Sequence, residues 1–536
     1  MNYNMLFTLA GGLGLFLYGM KMMGDGLEKA AGHKLKDLLE ALTTNRIMGI
    51  LVGTVVTAII QSSSAVTVMI VGFVNAGIMT LAQATGVIMG ANIGTTITGQ
   101  LIAFNLSDVA PIIVFIGVGL IFFSKKAKMK RLGEIVTGFG ILFLGLSMMS
   151  SSMKPLGNDP KFQEMVVKFK NPIWGLLTGI LMTAVLQSSS ASMGILQALA
   201  IQGAIGLDSA IFVLFGQNIG TCITAIMASV GTSVTAKRAA IIHLLFNILG
   251  TLLFTILILV GIPYVPFVES FTPNNKARQI ANAHTLFNVL NTVLMFPLAG
   301  TLVNMSKKLV PGKEKDIDTM HLMYLDKRIL ETPVIAVAQI SKETGRMADL
   351  AKQNVAIAMK AFFERDEQLI EEVNKREEII DFLSEEITNY LIMVNDLPIA
   401  DADSAFVAKL FHVVNDIERI GDHAQNIAEY AQYVIENDVA FSDTAQEELI
   451  EMENLVLSAL EDAVVAIKTR DKDIARRVEP QEQAIDDLEI KLRNGHIERL
   501  NAQKCSVSSG VIFLDIVTNL ERIGDHACNL ADSVLG

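Results

Sequence analysis

Gln61-Ser62-Ser63-Ser64-Ala65 recurs as Gln187-Ser188-Ser189-Ser190-Ala191, and Gly90-Ala91-Asn92-Ile93-Gly94-Thr95-Thr96 recurs as Gly216-Gln217-Asn218-Ile219-Gly220-Thr221-Cys222. Both pairs share an offset of 126, and residues 49–103 align with 175–229 without a gap, with about twenty identities in fifty-five positions. Each Gln-Ser-Ser-Ser interrupts an apolar segment, 47–79 or 173–203, leaving about 14 residues on either side. A half of that length makes roughly 20 Å of helix, short of the ~30 Å hydrocarbon layer. The two segments therefore read as re-entrant helical hairpins, which a membrane tolerates where protein or water surrounds the tip.

Outward from the hairpins, apolar segments near 5–23, 82–103, 108–123, 132–151, 207–229, 239–260 and 280–304 read as spans. No basic region precedes the first, so it is expected to be retained and not removed as a signal peptide. Basic residues set the orientation. Lys29, Lys34, Lys36 and Arg46, the cluster Lys125 to Arg131, Lys237-Arg238 and Lys307-Lys308 all fall inside when the N-terminus is outside. Lys154, Lys161, Lys168, Lys170, Lys276 and Arg278 then lie outside, against the rule. Three spans separate the hairpins, so the second copy enters from the opposite side. Inverted repeats with interrupted helices at matching positions point to a secondary transporter with its site near the midplane.

The charge distribution agrees. Up to Val310 there are 20 Lys and Arg against 10 Asp and Glu; the remainder holds 23 against 45. A basic, apolar membrane domain (1–310, with repeats about 5–124 and 132–261) precedes a linker (311–334) and an acidic, soluble helical domain (335–536). The whole chain is 51% hydrophobic and 18% charged, where a soluble protein carries about 25% charged residues. Three scattered cysteines exclude a disulfide framework and a zinc cluster.

At a hairpin tip the second half-helix presents unsatisfied N–H groups and a partial positive charge, which favour an anion. Serine hydroxyls and a glutamine amide add neutral donors, enough to hold a tetrahedral oxyanion. The Asn-Ile-Gly-Thr segments supply amide and hydroxyl oxygens, with carbonyls expected to be freed at Gly94 and Gly220, as hard ligands for a small cation. Serines in membrane helices also act as interhelical glue, but two copies in a gap-free repeat favour a site. A smaller echo, His243-Leu-Leu-Phe246-Asn247 and His284-Thr-Leu-Phe287-Asn288, reads as two related helices with hydrogen-bonded packing histidines.

The paired QSSSA and N-I-G-T segments resemble the sodium–phosphate cotransporter family across nearly all of residues 1–310. The resemblance implies a phosphate site at Gln61, Ser62, Ser63, Ser64, Gln187, Ser188, Ser189 and Ser190. It implies sodium ligands at Asn92, Thr95, Thr96, Asn218 and Thr221. Cys222 replaces the second threonine of the second copy and removes an expected ligand.

The acidic domain repeats too. Asn415 to Asn426 matches Thr518 to Asn529 at an offset of 103 around Glu-Arg-Ile-Gly-Asp-His. Glu418, Asp422 and Asn426 share one helix face by their spacing of four. Glu377 and Asp381 have counterparts in Glu482 and Asp486. This resembles PhoU, and implies two three-helix bundles whose acidic faces, here Glu377, Asp381, Glu418, Asp422, Glu482, Asp486, Glu521 and Asp525, hold a divalent or transition metal. Solvated, salt-bridged helix faces are the plainer reading of such runs.

The sequence thus specifies an all-α protein of two parts and shows no catalytic triad, phosphate loop or zinc-spaced cluster, so an enzyme and a nucleic-acid binder are not expected. The leading function is uptake of inorganic phosphate by sodium symport across the inner (plasma) membrane, with the C-terminal domain cytoplasmic. Phosphate export regulated by the PhoU-like domain, and a membrane-anchored phosphate sensor, are the alternatives. A regulatory partner protein and a homodimer complete the expected partners.

Overall fold

The computed structural model describes residues 3–31, 45–312, 320–397, 399, 401–503 and 505–535. The predicted inside lysines Lys34 and Lys36, and Lys313 to Lys315 of the linker, lie outside the described residues. Every regular element described is a helix. The chain divides into two compact units, one of residues 1–315 with Asp326–Ile335 and one of Asp316–Leu325 with Ala336–Gly536.

Among the described residues the first unit holds fifteen α-helices. They are α1 Tyr3–Ala31, α2 Arg46–Ile60, α3 Ser63–Asn75, α4 Leu81–Gly94, α5 Thr96–Ile102, α6 Ala110–Phe123, α7 Ala127–Met153 and α8 Pro160–Lys168. There follow α9 Pro172–Leu186, α10 Ser189–Ile201, α11 Leu207–Ala228, α12 Val234–Leu259, α13 Tyr264–Phe271, α14 Lys276–Met295 and α15 Ala299–Leu309. Boundaries follow local chemistry. Asn45, Thr80, Asp159, Asn171, Ser233 and Asn275 cap helix starts through their side chains. Proline opens α8 and α9, where its missing N–H costs nothing.

Among the described residues four helices are long and apolar enough to cross a membrane: α1, α7 with the 3₁₀ turn after it, α11 and α12. Two bent pairs, α8 with α9 at 103° and α14 with α15 at 85°, bring the number to six if each is one span. Seven spans were expected. Two of the seven fail the test in the first repeat, where the segment 82–103 is split at Thr95 into α4 and α5 and α6 has only 14 residues, while the α8–α9 pair includes the first arm of the second hairpin, which was not expected as a span. Small residues pack these helices. Along α1 and α7, a Cβ at Gly12 would stand 2.8 Å from the Met149 nitrogen and one at Gly138 2.5 Å from the Met23 nitrogen. Only residues lacking a side chain permit backbones that close.

The second unit comprises α16 Pro333–Glu364, most of it in this unit, α17 Glu367–Asn395, α18 Asp401–Glu436, α19 Asp443–Thr469, α20 Lys472–Ala475, α21 Val478–Asn501 and α22 Val507–Leu535. α17 packs along α18, while α19, α21 and α22 pack on one another, and α18 against α22 joins the two sets. Its core is aliphatic, with Val355, Ile380, Leu383, Ile417, Val456 and Leu520 fully buried.

Candidate functional site

The repeat seen in sequence is a repeat of packing. α2 lies along α4, and α9 along α11, through glycines at matching positions. A Cβ at Gly53 would stand 2.5 Å from the Val87 carbonyl oxygen, and one at Gly94 2.5 Å from that of Thr54. In the second copy a Cβ at Gly220 would stand 2.7 Å from the Ile180 oxygen. Gly179 faces Val213 as Gly53 faces Val87, and Gly216 faces Leu176 as Gly90 faces Ile50. This corrects the expectation that Gly220 frees a carbonyl for a cation, while Gly94 ends α4 at the break before Thr95. They admit a neighbouring backbone, and α11 runs unbroken through Gly220. Spacing revealed the glycines but not what they touch.

The two tips are built alike. α2 ends on Gln61 in the left-handed region (φ 59°), and extended Ser62 (φ −141°) opens α3, its Oγ accepting from the Ala65 N–H at 3.2 Å. α9 ends on Gln187 (φ 52°), and Ser188 (φ −144°) opens α10, accepting from the Ala191 N–H at 3.1 Å. A glutamine held left-handed costs about 1–3 kcal/mol, and such strain gathers at functional sites. The first N–H groups of a helix have no intrahelical acceptor. Those of Ser63 and Ser64, and of Ser189 and Ser190, are therefore available at the positive helix ends. The Ser63 hydroxyl is buried without a hydrogen-bond partner.

The tips also differ. Gln61 is 5% exposed, its amide donating to the Ala58 carbonyl at 2.5 Å and its oxygen accepting from Thr98 at 3.0 Å. Gln187 is exposed and makes no hydrogen bond among the described residues. The Thr57 hydroxyl is buried without a partner, whereas its counterpart Thr183 donates to Ser192 at 3.0 Å.

The Asn-Ile-Gly-Thr segments show the same unevenness. Asn92 donates its amide to the Ile88 carbonyl at 2.8 Å, leaving its oxygen uncommitted. Asn218 has its oxygen 3.1 Å from His284 Nε2, and its amide nitrogen is buried without a partner. Thr96 donates to the Ile93 carbonyl at 2.8 Å, and the Thr221 hydroxyl is buried and unpartnered. Thr95 sits at the break between α4 and α5. Cys222 lies between the carbonyls of Asn218 and His243 and accepts from Asn247 at 3.4 Å, so it packs α11 on α12.

Sequence reasoning missed several polar side chains. Gln217, beside Asn218, is buried with both amide atoms unpartnered. Gln197 on α10 donates to the carbonyls of Gly99 (3.0 Å) and Ala277 (3.2 Å), tying the second hairpin to α5 and α14. Asn291 donates to the Phe246 carbonyl at 3.2 Å, joining α14 to α12. The His-x-x-Phe-Asn echo was the signal for this layer.

In the second unit Glu482, Asp486 and Asp525 bring carboxylate oxygens within 4.8 Å of one another. Glu521 is outside that group, and Glu377, Asp381, Glu418 and Asp422 do not draw three oxygens so close among the described residues. Glu377 lies 3% exposed against Gly421, where a Cβ would come 2.5 Å from its Oε2. Burial, then the neighbouring charges of Asp381, Asp422 and Glu418, pushes its carboxyl up to about 8. Burial and adjacent carboxylates likewise raise Asp381, Glu482, Asp486 and Glu521. Ser384 donates to Glu418 at 3.0 Å, and Asp422 pairs with Arg419 at 3.0 Å. A carboxylate trio of this kind suits a hard divalent ion.

Comparison with known proteins follows the same division. The family model described as Na+/Pi-cotransporter matches residues 15–151 and 149–296, and the PhoU domain model matches 344–431 and 449–534. "Uncharacterized protein YqeW" of Bacillus subtilis (strain 168) is 36% identical over 303 residues, covering 56% of this chain and 96% of that protein. "Putative inorganic phosphate export protein YjbB" of Escherichia coli (strain K12) is 25% identical over 540 residues, 99% of this chain and 97% of YjbB. "Phosphate-specific transport system accessory protein PhoU homolog 1" of Thermotoga maritima is 29% identical over 198 residues, 37% of this chain and 84% of that protein. Among solved structures, PhoU from Pseudomonas aeruginosa aligns over 37% of this chain and 95% of its own at 22% identity, with a TM-score of 0.36. With its duplicated hairpins matched twice by one family model over more than half its length, this chain belongs to the Na+/Pi-cotransporter family and carries two PhoU domain matches behind its membrane helices.

Proposed function

We propose that this protein moves inorganic phosphate across the inner membrane by sodium symport, and that phosphate is held between the two Gln-Ser-Ser-Ser tips, each a re-entrant turn. The observation that carries this reading is the duplicated tip geometry: a left-handed glutamine, a serine cap, and helix-end N–H groups with no internal acceptor. Uncharged donors suit a doubly charged tetrahedral anion, because they bind it without a cation that would have to be neutralised after release. Sodium enters through the oxygens of Asn92, Thr95, Thr96, Asn218 and Thr221. It offsets the anion's charge and so reduces the cost of carrying it through a region of low dielectric.

The second unit faces the cytoplasm and regulates transport, with Glu482, Asp486 and Asp525 as the best-placed metal ligands. Export is a second reading, favoured by the end-to-end likeness to YjbB, which is named for inorganic phosphate export. Both readings use the same site and differ in net direction. Purified full-length protein in liposomes, given labelled phosphate on either side with and without a sodium gradient, tests them. Sodium-driven accumulation supports symport. Flux that ignores sodium and runs outward from the cytoplasmic side supports export, and no flux in either direction refutes both.

A further inference from the structure

Between Asp316–Leu325 and Ala336, both of the second unit, the chain places Asp326–Ile335 in the first. The 3₁₀ turn of this segment, Lys327–Glu331, packs on α3, the second half of the first hairpin. Gly72 on α3 makes room for it: a Cβ there would stand 3.3 Å from Ile329 Cγ1 and 3.5 Å from Arg328 Cβ. Ile329 and Thr332 are fully buried. A slack linker would bury neither.

The polar bonds of the segment cross from one repeat to the other. Asn75, the last residue of α3, donates to Asp326 Oδ2 at 2.8 Å and accepts from the N–H of Ser233, the cap of α12, at 2.8 Å. Asp326 pairs with Arg328 at 2.8 Å. Arg328 in turn donates to the carbonyl of Ala228, the last residue of α11, at 2.5 Å and to that of Val230 at 3.4 Å. Carbonyls at a helix C-terminus lack an intrahelical donor, and an arginine there satisfies them and offsets the negative helix end. The Val334 N–H reaches Glu28 Oε1 on α1 at 3.4 Å. α1 and α3 belong to the first repeat, α11 and α12 to the second. The series Asn75, Asp326, Arg328, Ala228 is thus a staple between the repeats, set on the seam where α3 packs on α11 and α12.

A transporter of inverted repeats moves its site from one side to the other by shifting one repeat against its partner. A tie between repeats opposes that shift. We infer that Asp326–Ile335 is an autoinhibitory clasp: seated, it holds the base of the first hairpin on α11 and α12, and lifted, it lets the repeats part there. This rests on the transporter reading. The chain on both sides of the clasp belongs to the second unit, so a rearrangement of that unit acts on the clasp through the backbone itself.

The test reads the clasp and the transport separately. Full-length protein carrying Cys505→Ser and Cys528→Ser keeps Cys222, which is wholly buried. With Ile329→Cys added, a water-soluble maleimide reports lifting of the clasp. Labelling should be slow, and roughly tenfold faster when Arg328→Met is added, because losing a charge-assisted bond shifts a two-state balance by about that factor. Arg328→Lys, which keeps the ion pair with Asp326, should remain slow. Liposomes then separate a clasp from a mere brace. Arg328→Met should carry labelled inorganic phosphate faster than wild type although it melts at a lower temperature. A disulfide between Gly72→Cys and Ile329→Cys should raise the melting temperature and stop the flux until it is reduced. Unchanged labelling or slower flux in Arg328→Met, or undiminished flux across the disulfide, would overturn the clasp. Absence of flux from every protein, wild type included, would instead refute phosphate transport, and the labelling rates alone would then decide the clasp.

Discussion

Gln61 and Gln187 are the residues on which the account turns, because a side chain is held left-handed there twice at the same place in a repeat. The sequence named these tips, since four polar residues inside an apolar run are conspicuous. It could not reveal that Ser62 and Ser188 spend their hydroxyls as caps, so that in the proposed site the next two serines are the ones to meet phosphate. We predict that Ser63→Ala and Ser189→Ala each weaken phosphate binding by about 1–3 kcal/mol, roughly 5- to 150-fold, with folding intact. Calorimetric titration of phosphate checks this, and wild-type affinity in both would remove the tips from the site. Glu377 carries a second prediction. Its carboxyl is raised to about 8 from 4.5, so the folded state prefers the protonated form. The stability associated with it is complete below its ordinary range and is lost as pH rises towards and through about 8. Glu377→Gln should therefore flatten the decline between pH 5 and 9 and raise stability at pH 9 by about 1–3 kcal/mol. Thermal melts across that range without added metal decide it.

Helices show why the pattern of glycines mattered more than their number. Gly53, Gly90 and Gly94 reappear as Gly179, Gly216 and Gly220, and each admits a neighbouring backbone. The repeat was legible because identities survive in sequence at a fixed offset. The role of these glycines was not, because a helix gives no sign of which backbone crosses it. The same limit explains the span count: nothing in residues 82–103 marks the break at Thr95, which its counterpart Thr221 lacks. We predict that Gly216→Val abolishes assembly of the second hairpin, as overpacking against backbone costs about 3 kcal/mol or more. Gly300→Ala, with nothing within 4 Å of the added atom, should be neutral. Yield and melting temperature in detergent compare the two, and a well-folded Gly216→Val protein would contradict the packing account.

Across the molecule, the division into an apolar, basic part and an acidic one was plain from charge alone, but its junction was not. Asp326–Ile335 clusters with the membrane unit although it follows ten residues that cluster with the other. Asn75 donates to Asp326 at 2.8 Å, and Arg328 donates to the Ala228 carbonyl at 2.5 Å. Ile329 and Thr332 are fully buried. This strap lies on α3, the second half of the first hairpin. Such a short, polar-tied segment carries no periodicity by which a sequence could assign it. A chain ending at Ile335 should consequently insert and remain monodisperse, whereas one ending at Lys315 should melt at a lower temperature. Equal stability of the two would show that the strap contributes nothing.

The central claim is that two inverted tips carry phosphate with sodium, and one measurement bears on it most directly. Full-length protein in liposomes is given labelled phosphate outside and an inward sodium gradient, beside the doubly substituted Ser63→Ala/Ser189→Ala protein. The account predicts phosphate accumulation above the external concentration, abolished when the gradient is collapsed and absent in the double variant. Accumulation by the folded double variant, or phosphate movement that merely equilibrates whatever the sodium gradient, would contradict it.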